Sequence, residues 1–586
     1  MRNQRPRAGG HLRRPSSTQG AERPRTLSIP PVGDNIRIIP LGGMEEIGKN
    51  MLAIECGNDI IIIDAGFQFS EVETPGIDYI LPNTAYLEEH KDKIRALFIS
   101  HGHLDHIGGI PYLIDKLGYP PIYAREFGAI MIKKRQEEFP NLKTLDIRVI
   151  DGDETIIVGG LKVKSFEISH AIPDSMGMIV ETPYGKLAVI EDVRVDHIDG
   201  EPTEKEKEHY RSLAKDEFLL LTLDSTRIEK PGFSMPESKA VETIDQIIKD
   251  TKGRMIIGTF ASQVDRIVEI IKSAEKHGKK VAVDGRSMKT NVEIIKHLGI
   301  LKMENIIPIE NIDNYPPGKI VILATGAQGE EFAVLMRIAN KTHKHIKLNK
   351  NDTVLLSSSI IPGNEYSITK LKDNLYRQEA RIITYLESDI HSGGHGYRGE
   401  LEWIHKQINY RFFMPVHGHH YMLRMHAEMA RSLGAPEKNI IVPDNGSIVE
   451  IQDKGKKIVM LKEKVPSNSL MVDGFSIGGT QEAVIRDRQV LAQDGIFIIF
   501  ATLNQKTGRL TKSPDIISRG FVYLRESQDL LRASRMIVKK TVEDSTAGMY
   551  PINFEYLKNI LTDNLSRFLF RETAKRPIVI PVISGV

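Results

Sequence analysis

Residues 100–109 read SHGHLDHIGG, and the fold follows from how this run is understood. His101, His103, Asp105 and His106 fall within six positions, after the apolar run IRALFIS (94–100) and before IPYLIDKL (110–117). A lone histidine on an apolar face is ordinarily a satisfied core residue. Four metal-capable groups spaced H-x-H-x-D-H, between an expected strand and an expected helix, call for another explanation. The first two histidines can project from a loop toward one cation, while the Asp-His pair at the helix start turns toward a second. Neutral imidazole and carboxylate are borderline-to-hard donors that suit Zn2+ or Mn2+. A two-metal hydrolytic site needs about seven such donors, one carboxylate bridging ions roughly 3.5–4 Å apart. The rest must come from elsewhere in the chain.

Working outward, the pattern is α/β. IIIIDAG (60–66), ALFISHGH (96–103), FLLLTLDST (218–226), RMIIGTFAS (254–262), KIVILATGAQG (319–329) and DTVLLSSS (352–359) are near-continuous apolar runs that end in small or polar residues. Such strands are buried on both faces, and open α/β sheets bind ligands at their carboxyl ends. Amphipathic helices are expected at 237–251 and 263–278. The stretch 451–468 is lysine-rich and runs into a Pro-Ser-Asn-Ser break, which reads as a linker. Beyond it, a strand with a turn (494–510) and helical stretches near 524–545 and 553–572 suggest a small separate α/β domain.

The 586 residues, 40% hydrophobic and 27% charged, fit three or four ordinary globular domains. A net charge of +2 excludes a polycation, so any nucleic-acid affinity must be local. The single cysteine, Cys56, rules out an internal disulfide or a cysteine-built zinc site and suits a reducing cytoplasm. No apolar run reaches the roughly 20 residues of a membrane span, and no signal peptide is expected. Residues 1–33 carry seven arginines against Glu22 alone and read as a disordered basic tail, either an RNA tether or a solubilising extension.

HGHLDHIGG after a strand resembles the metallo-β-lactamase superfamily signature. On that pattern EISHAIPDSMG supplies His170, AVIEDVRVDH supplies Asp192 and FFMPVHGHH supplies His417. The resemblance implies one ion on His101, His103 and His170, a second on Asp105, His106 and His417, and Asp192 as the bridge. Asp64 would orient ligands from behind. More than two hundred residues separate Asp192 from His417, which leaves room for an inserted domain similar to β-CASP. Asp224 and His395 stand at its acidic and second motifs. LGGMEEIGKNM, TFASQVDRI, ATGAQGE, SSSIIPGNE, MPVHGHH and ISRGFVYLRES, in that order, resemble the ribonuclease J family.

That family implies an αββα sandwich with an inserted α/β β-CASP domain and a small C-terminal α/β domain. The expected segments are 34–230 and 366–450 for the sandwich, 231–365 for the insertion and 469–586 for the C-terminal domain. It implies hydrolysis of RNA to 5′-phosphate and 3′-hydroxyl products, 5′-to-3′ from a 5′-monophosphate end and also internally, on two Zn2+ (or Mn2+ or Mg2+). Asp105 or Asp192 would orient the nucleophile; His395 would contact the scissile phosphate and protonate the leaving oxygen, with Asp224 fixing its tautomer. A phosphate pocket is expected from Ala261, Ser262 and Gln263 with His391, Ser392, Gly393, Gly394 and His395, supported by residues 357–365. Phe260 and Tyr397 are candidates for base stacking, whereas Trp403 is expected in the core. The family further implies a homodimer or homotetramer, and some relatives hold a structural Ca2+ where Asp78 and Asp473 stand. Three positions depart from the family: Leu104 for Glu, Glu191 for Gly before the bridge, and Gly393 for a serine. Rival expectations are a feebly active RNA-binding subunit of a decay complex and a metallo-hydrolase of some other ester.

Overall fold

The computed structural model describes residues 29–586 apart from 71–73, 153, 302–303, 331–332, 362–363, 475, 479–481 and 524–526. Two sheets face each other. The first has eight strands in the order Lys457–Lys464, Ser447–Gln452, Ile36–Gly42, Met51–Cys56, Asp59–Ile63, Ile94–Phe98, Ile122–Ala124 and Ile147–Val149. The second has six: Asn409–Val416, Glu217–Asp224, Gly185–Val189, Met176–Thr182, Leu161–Glu167 and Thr155–Val158. Ile54, Ile61, Phe98, Met178, Val189, Phe412 and Met414 are among the residues filling the space between them. Each sheet carries helices on its outer face: Glu126–Glu137 covers the first, and Glu204–Leu213, Arg398–Gln407 and His420–Ser432 cover the second. This is the αββα sandwich expected from the sequence.

The inserted domain is a six-stranded, wholly parallel sheet ordered Ile306–Ile307, Lys280–Asp284, Ile320–Ala324, Met255–Thr259, Thr353–Ser357 and Arg381–Thr384. Its strands are buried on both faces, which is why they read as unbroken apolar runs. Phe127 and Ile172 of the sandwich join its core, so the two domains share one apolar seam. The C-terminal domain stacks helices Gln528–Thr546 and Phe554–Thr573 on the strands Asp515–Arg519, Ile496–Leu503 and Ile578–Gly585. Among the described residues no helix is long and apolar enough to cross a membrane.

Three boundaries differ from the sequence reading. The insertion extends past 365, because Arg381–Thr384 is the edge strand of its sheet. The expected linker 451–468 contains the strand Lys457–Lys464, which pairs with Ser447–Gln452. Its Ile458 is buried and its lysines face solvent, an edge-strand composition that resembles a linker when only the charge is counted. The basic tail ends by residue 28, which lies outside the described residues; Ile29 packs against the first sheet and the Pro30 carbonyl accepts Arg37 Nη2 at 2.6 Å. The expected helix after SHGHLDHIGG is short, Ile110–Leu113.

Candidate metal centre

The chemistry-bearing residues sit where strands end. After Ile94–Phe98 the chain passes through Ser100, presents His101 and His103 from a loop, then Asp105 and His106 from the single-turn helix Leu104–Ile107. His170 follows Leu161–Glu167, Asp192 follows Gly185–Val189 and His417 follows Asn409–Val416. Asp224 closes the strand Glu217–Asp224.

All seven expected ligands converge. His103 Nδ1 lies 3.0 Å from His101 Nε2 and 3.1 Å from His170 Nε2. Asp192 Oδ2 lies 3.6 Å from His101 Nε2 and 3.4 Å from His170 Nε2. A tetrahedral ion with metal–nitrogen bonds of 2.0–2.1 Å has ligand–ligand edges of roughly 3.4 Å, so these four atoms match one coordination sphere. A second group gathers around Asp192 Oδ1, which is 3.2 Å from His106 Nε2; Asp105 Oδ2 lies 3.5 Å from that nitrogen and 3.8 Å from His417 Nε2. Asp192 belongs to both groups, one oxygen toward each, as a bridging carboxylate must. His417 Nε2 is buried without a hydrogen-bond partner and lies 3.8 Å from Asp105 Oδ2, a donor atom left open toward the second group.

The surroundings fix which ring nitrogen faces the centre. Asp64 Oδ2 accepts His106 Nδ1 at 2.7 Å and the Ser100 hydroxyl at 2.7 Å, and Asp64 Oδ1 accepts the Ser100 amide at 2.8 Å. Ser100 Oγ in turn meets His101 Nδ1 at 3.0 Å. His170 Nδ1 donates to the Gly394 carbonyl at 2.7 Å. Each arrangement occupies Nδ1 and turns Nε2 toward the centre, the role of outer partners in metal sites. Burial, with neighbouring histidines, holds His101 and His170 well below the ordinary histidine range, so both are neutral donors. Burial also opposes charge on His106, but Asp192, Asp105 and Asp64 outweigh it and hold that ring high. Neutral His101, His103 and His170 and the carboxylates of Asp105 and Asp192 suit a divalent cation as they stand, and the protons that the neighbouring carboxylates favour on His106 and His417 are those a bound cation would displace.

His395 stands beside this centre, its Nε2 3.7 Å from Asp192 Oδ2 and its Nδ1 donating to Asp224 Oδ2 at 2.7 Å. The other Asp224 oxygen accepts the Thr226 amide at 2.8 Å, so the carboxylate cannot swing away. His420 and His419 point elsewhere: His420 pairs with Asp444 at 2.9 Å and exposed His419 stacks on Tyr421.

The expected phosphate pocket is less open than the sequence implies. Gln263 is buried, accepting Arg266 (2.7 Å) and Thr259 (3.1 Å) and donating to the Ser392 carbonyl (3.1 Å), so its amide braces the loop. Ala261 receives Asn291 through its carbonyl at 2.5 Å. Gly394 is required by close approach: a Cβ there would lie 2.6 Å from His170 Cε1. Gly393 has open space around its Cβ position. Of residues 357–365, 362 and 363 lie outside the described residues; Ser357 Oγ donates to the Ile390 carbonyl at 2.6 Å. Phe260 lies 6.1 Å from the His391 ring, and Tyr397 donates its amide to Glu400. Trp403 meets Tyr210 edge-on at 5.0 Å in the core beneath the second sheet. At the expected calcium residues, Asp473 already has a cationic side-chain partner. Asp473 pairs with Arg488 at 2.5 Å, and the same guanidinium takes the Pro75 and Gly76 carbonyls. Asp78 Oδ2 accepts the Gly474 amide at 2.8 Å.

Comparison with known proteins matches this architecture segment by segment. Residues 46–189 match the metallo-β-lactamase superfamily, 252–375 the ribonuclease J β-CASP domain and 483–586 the ribonuclease J C-terminal domain. Ribonuclease J2 of Bacillus subtilis (strain 168) is 33% identical over 94% of this chain and 99% of its own length. The chain belongs to the ribonuclease J family. Ribonuclease J 1 of Streptococcus pyogenes serotype M3 is 34% identical over 95% of this chain and 98% of its own. A crystal structure of a protein of unknown function from Enterococcus faecalis V583 shares the fold at 15% identity, with a TM-score of 0.51 over 71% of this chain and all of that one.

Several residues of this family member's centre carried no sequence signal. Asn50 is buried, with its amide nitrogen 3.0 Å from His106 Nε2 and 3.2 Å from the Asp105 carbonyl. Thr226 Oγ lies 3.0 Å from His417 Nδ1. Arg194, Glu237 and Arg266 form a buried ion cluster against residues 391–393. Their residue types are ordinary, and only spatial neighbours distinguish them. Glu191, in place of the family's glycine, is buried, and desolvation with nearby Asp64 pushes its carboxyl up to about 8.

Proposed function

We propose that the protein is a metal-dependent ribonuclease that hydrolyses RNA phosphodiesters to 5′-phosphate and 3′-hydroxyl products. It degrades 5′-to-3′ from monophosphorylated ends, cleaves internally as well, and serves RNA maturation and decay in the cytoplasm. The observation that carries this reading is the shared carboxylate: Asp192 divides its two oxygens between two histidine-rich donor groups, with His395 beside it. His101, His103 and His170 would hold one divalent ion, Asp105, His106 and His417 the other. Zn2+ suits these donors best, with Mn2+ or Mg2+ as substitutes. Once bound, such a pair lowers the pKa of water toward about 7 and neutralises charge on phosphate oxygens.

The chain's own groups do the rest. Asp105 or Asp192 would orient the attacking water. His395 Nε2 faces the centre with Nδ1 donating to Asp224; burial opposes charge on this ring, but Asp224 and Asp192 favour the imidazolium, the form whose Nε2–H can be given to the leaving 3′ oxygen. Residues 391–394 offer backbone amides to the 5′-phosphate, with glycine at 393 and 394 allowing close approach. Assembly as a homodimer or homotetramer is supported by the C-terminal sheet. Its outer face exposes Phe500, Ile517, Ile580 and Val582 together, each about 40% accessible, opposite the face that packs on helices.

The test is a time course on RNA labelled at either end, carrying a 5′-monophosphate or a 5′-triphosphate, with and without chelator. Mononucleotides released from monophosphorylated ends, lost on chelation and in His103→Ala, are expected. Full activity in His103→Ala would reject the ligand assignment.

A further inference from the structure

Three loops of the inserted domain meet at one buried side chain. Arg266, on the helix Val264–Lys276, is 1% exposed. Its Nη1 donates to Gln263 Oε1 at 2.7 Å and His391 Nδ1 at 2.8 Å, and lies 3.4 Å from both oxygens of Ser357. Its Nη2 reaches the Ser392 carbonyl at 3.1 Å. The same guanidinium forks onto Glu237, at 2.7 Å from Nε and 2.5 Å from Nη2.

Glu237 is also shared. Arg194 Nη1 lies 3.4 Å from Glu237 Oε2 and 3.3 Å from the Gly393 carbonyl. Arg194 is two residues beyond Asp192, and its amide donates at 2.9 Å to the carbonyl of Ser169, next to His170. An Arg-Glu-Arg triad therefore runs from the 263, 357 and 391–392 loops to the two stretches that carry Asp192 and His170. Buried ion clusters of this kind add little net stability compared with apolar packing of the same volume, but they fix relative position. A guanidinium is suited to that task, with planar donors and a charge that does not titrate.

We propose that Arg194, Glu237 and Arg266 are positioning residues that couple the 5′-phosphate loops to the seating of Asp192 and His170, and so set the preference for the 5′ end. A phosphate held by residues 391–393 stiffens the loop against Arg266 and Arg194 together. The carboxylate of Glu237 carries that constraint to the metal-facing segments. The proposal rests on the ribonuclease reading above.

The test uses the full-length, metal-loaded protein and one RNA sequence ending in either a 5′-monophosphate or a 5′-hydroxyl. The readout is the ratio of kcat/KM for the two ends, with bound metal measured in parallel. Glu237→Gln is expected to lower that ratio roughly tenfold, an ordinary size for coupling between two sites, with Glu237→Asp in between. Ile248→Val, fully buried on the same helix, is expected to keep the parent ratio. Arg266→Lys, which keeps the charge but loses the fork, is read alongside in case Glu237→Gln misfolds. A parent-like ratio in either folded variant, with both ends slowed equally, overturns the proposal. So does collapse of the fold in both, because the triad would then only hold the domain together. Failure of the underlying reading shows separately, as a parent protein that leaves both RNAs intact or treats both ends alike.

Discussion

Gly66 offers the sharpest test of how the metal-facing helix is held. It follows the strand Asp59–Ile63 and lies against Leu104–Ile107. A Cβ built there would sit 1.5 Å from the Asp105 carbonyl oxygen, 2.1 Å from its carbon and 2.8 Å from the His106 nitrogen. All three are backbone atoms, so no rotamer change relieves the clash. Ordinary contact begins at 3.4 Å, which means Gly66→Ala must move the helix by about 2 Å. That movement strains the hydrogen bonds from the Ala65 amide to the His106 carbonyl (2.8 Å), Gly109 to Ala65 (2.9 Å) and Asn50 to Asp105 (2.9 Å). At about 1 kcal/mol each, the cost is on the order of 3 kcal/mol. Asp105 and His106 move with their backbone, and a misplacement of only about 1 Å at a reacting centre can cost roughly a hundredfold in rate. The variant is therefore expected to lose one metal equivalent by elemental analysis after dialysis, and at least about a hundredfold in RNA hydrolysis. Gly160→Ala is the control, since its Cβ meets only Asp59 Oδ2 at 3.4 Å. A Gly66→Ala protein that keeps both equivalents and cleaves at the parent rate would refute the packing argument and the role of Asp105 and His106 with it.

Further outcomes follow from other contacts. Asp64→Asn removes the carboxylate that orients His106 and Ser100, and should weaken metal affinity about 10- to 100-fold in a competition titration while the fold persists. Gly393→Ser restores a hydroxyl in open space and should lower KM for 5′-monophosphorylated RNA several-fold, about 1 kcal/mol of hydrogen bonding, with little change for 5′-hydroxyl RNA. Burial holds His405 at about 3, and burial with the nearby Arg266 guanidinium holds His391 at about 3, so neither is charged in the folded protein above that pH. The unfolded chain takes up both protons below about pH 6.5, so stability is full above that value and falls on acidification. The loss is about 1.4 kcal/mol per histidine at pH 5.5, and urea melts at pH 7.5 and 5.5 should show His405→Gln losing one histidine's share of the decline.

Much of the centre was legible because its donors are dense and rare. SHGHLDHIGG concentrates four of them at one strand end, and His170, Asp192 and His417 could be placed by motif. Asp64 was read as an orienting residue, and it accepts hydrogen bonds from Ser100 and His106. The phosphate loops were harder. Gln263 has the composition of a ligand-binding residue, yet it is consumed by Arg266, Thr259 and Ser392. The lysines of 457–464 concealed an edge strand, because charge along one face resembles a linker until the partner strand is known.

The sequence by itself determined the α/β class and the identity of the metal-capable side chains, since these depend on local residue pattern and spacing. Tertiary structure alone decided which groups share an oxygen of Asp192, which ring nitrogen each histidine turns inward, and that Asp473 pairs with Arg488. Those outcomes depend on distances between residues up to hundreds of positions apart. No periodicity along the chain encodes such distances; they are set only when the two sheets and the inserted domain close on one another.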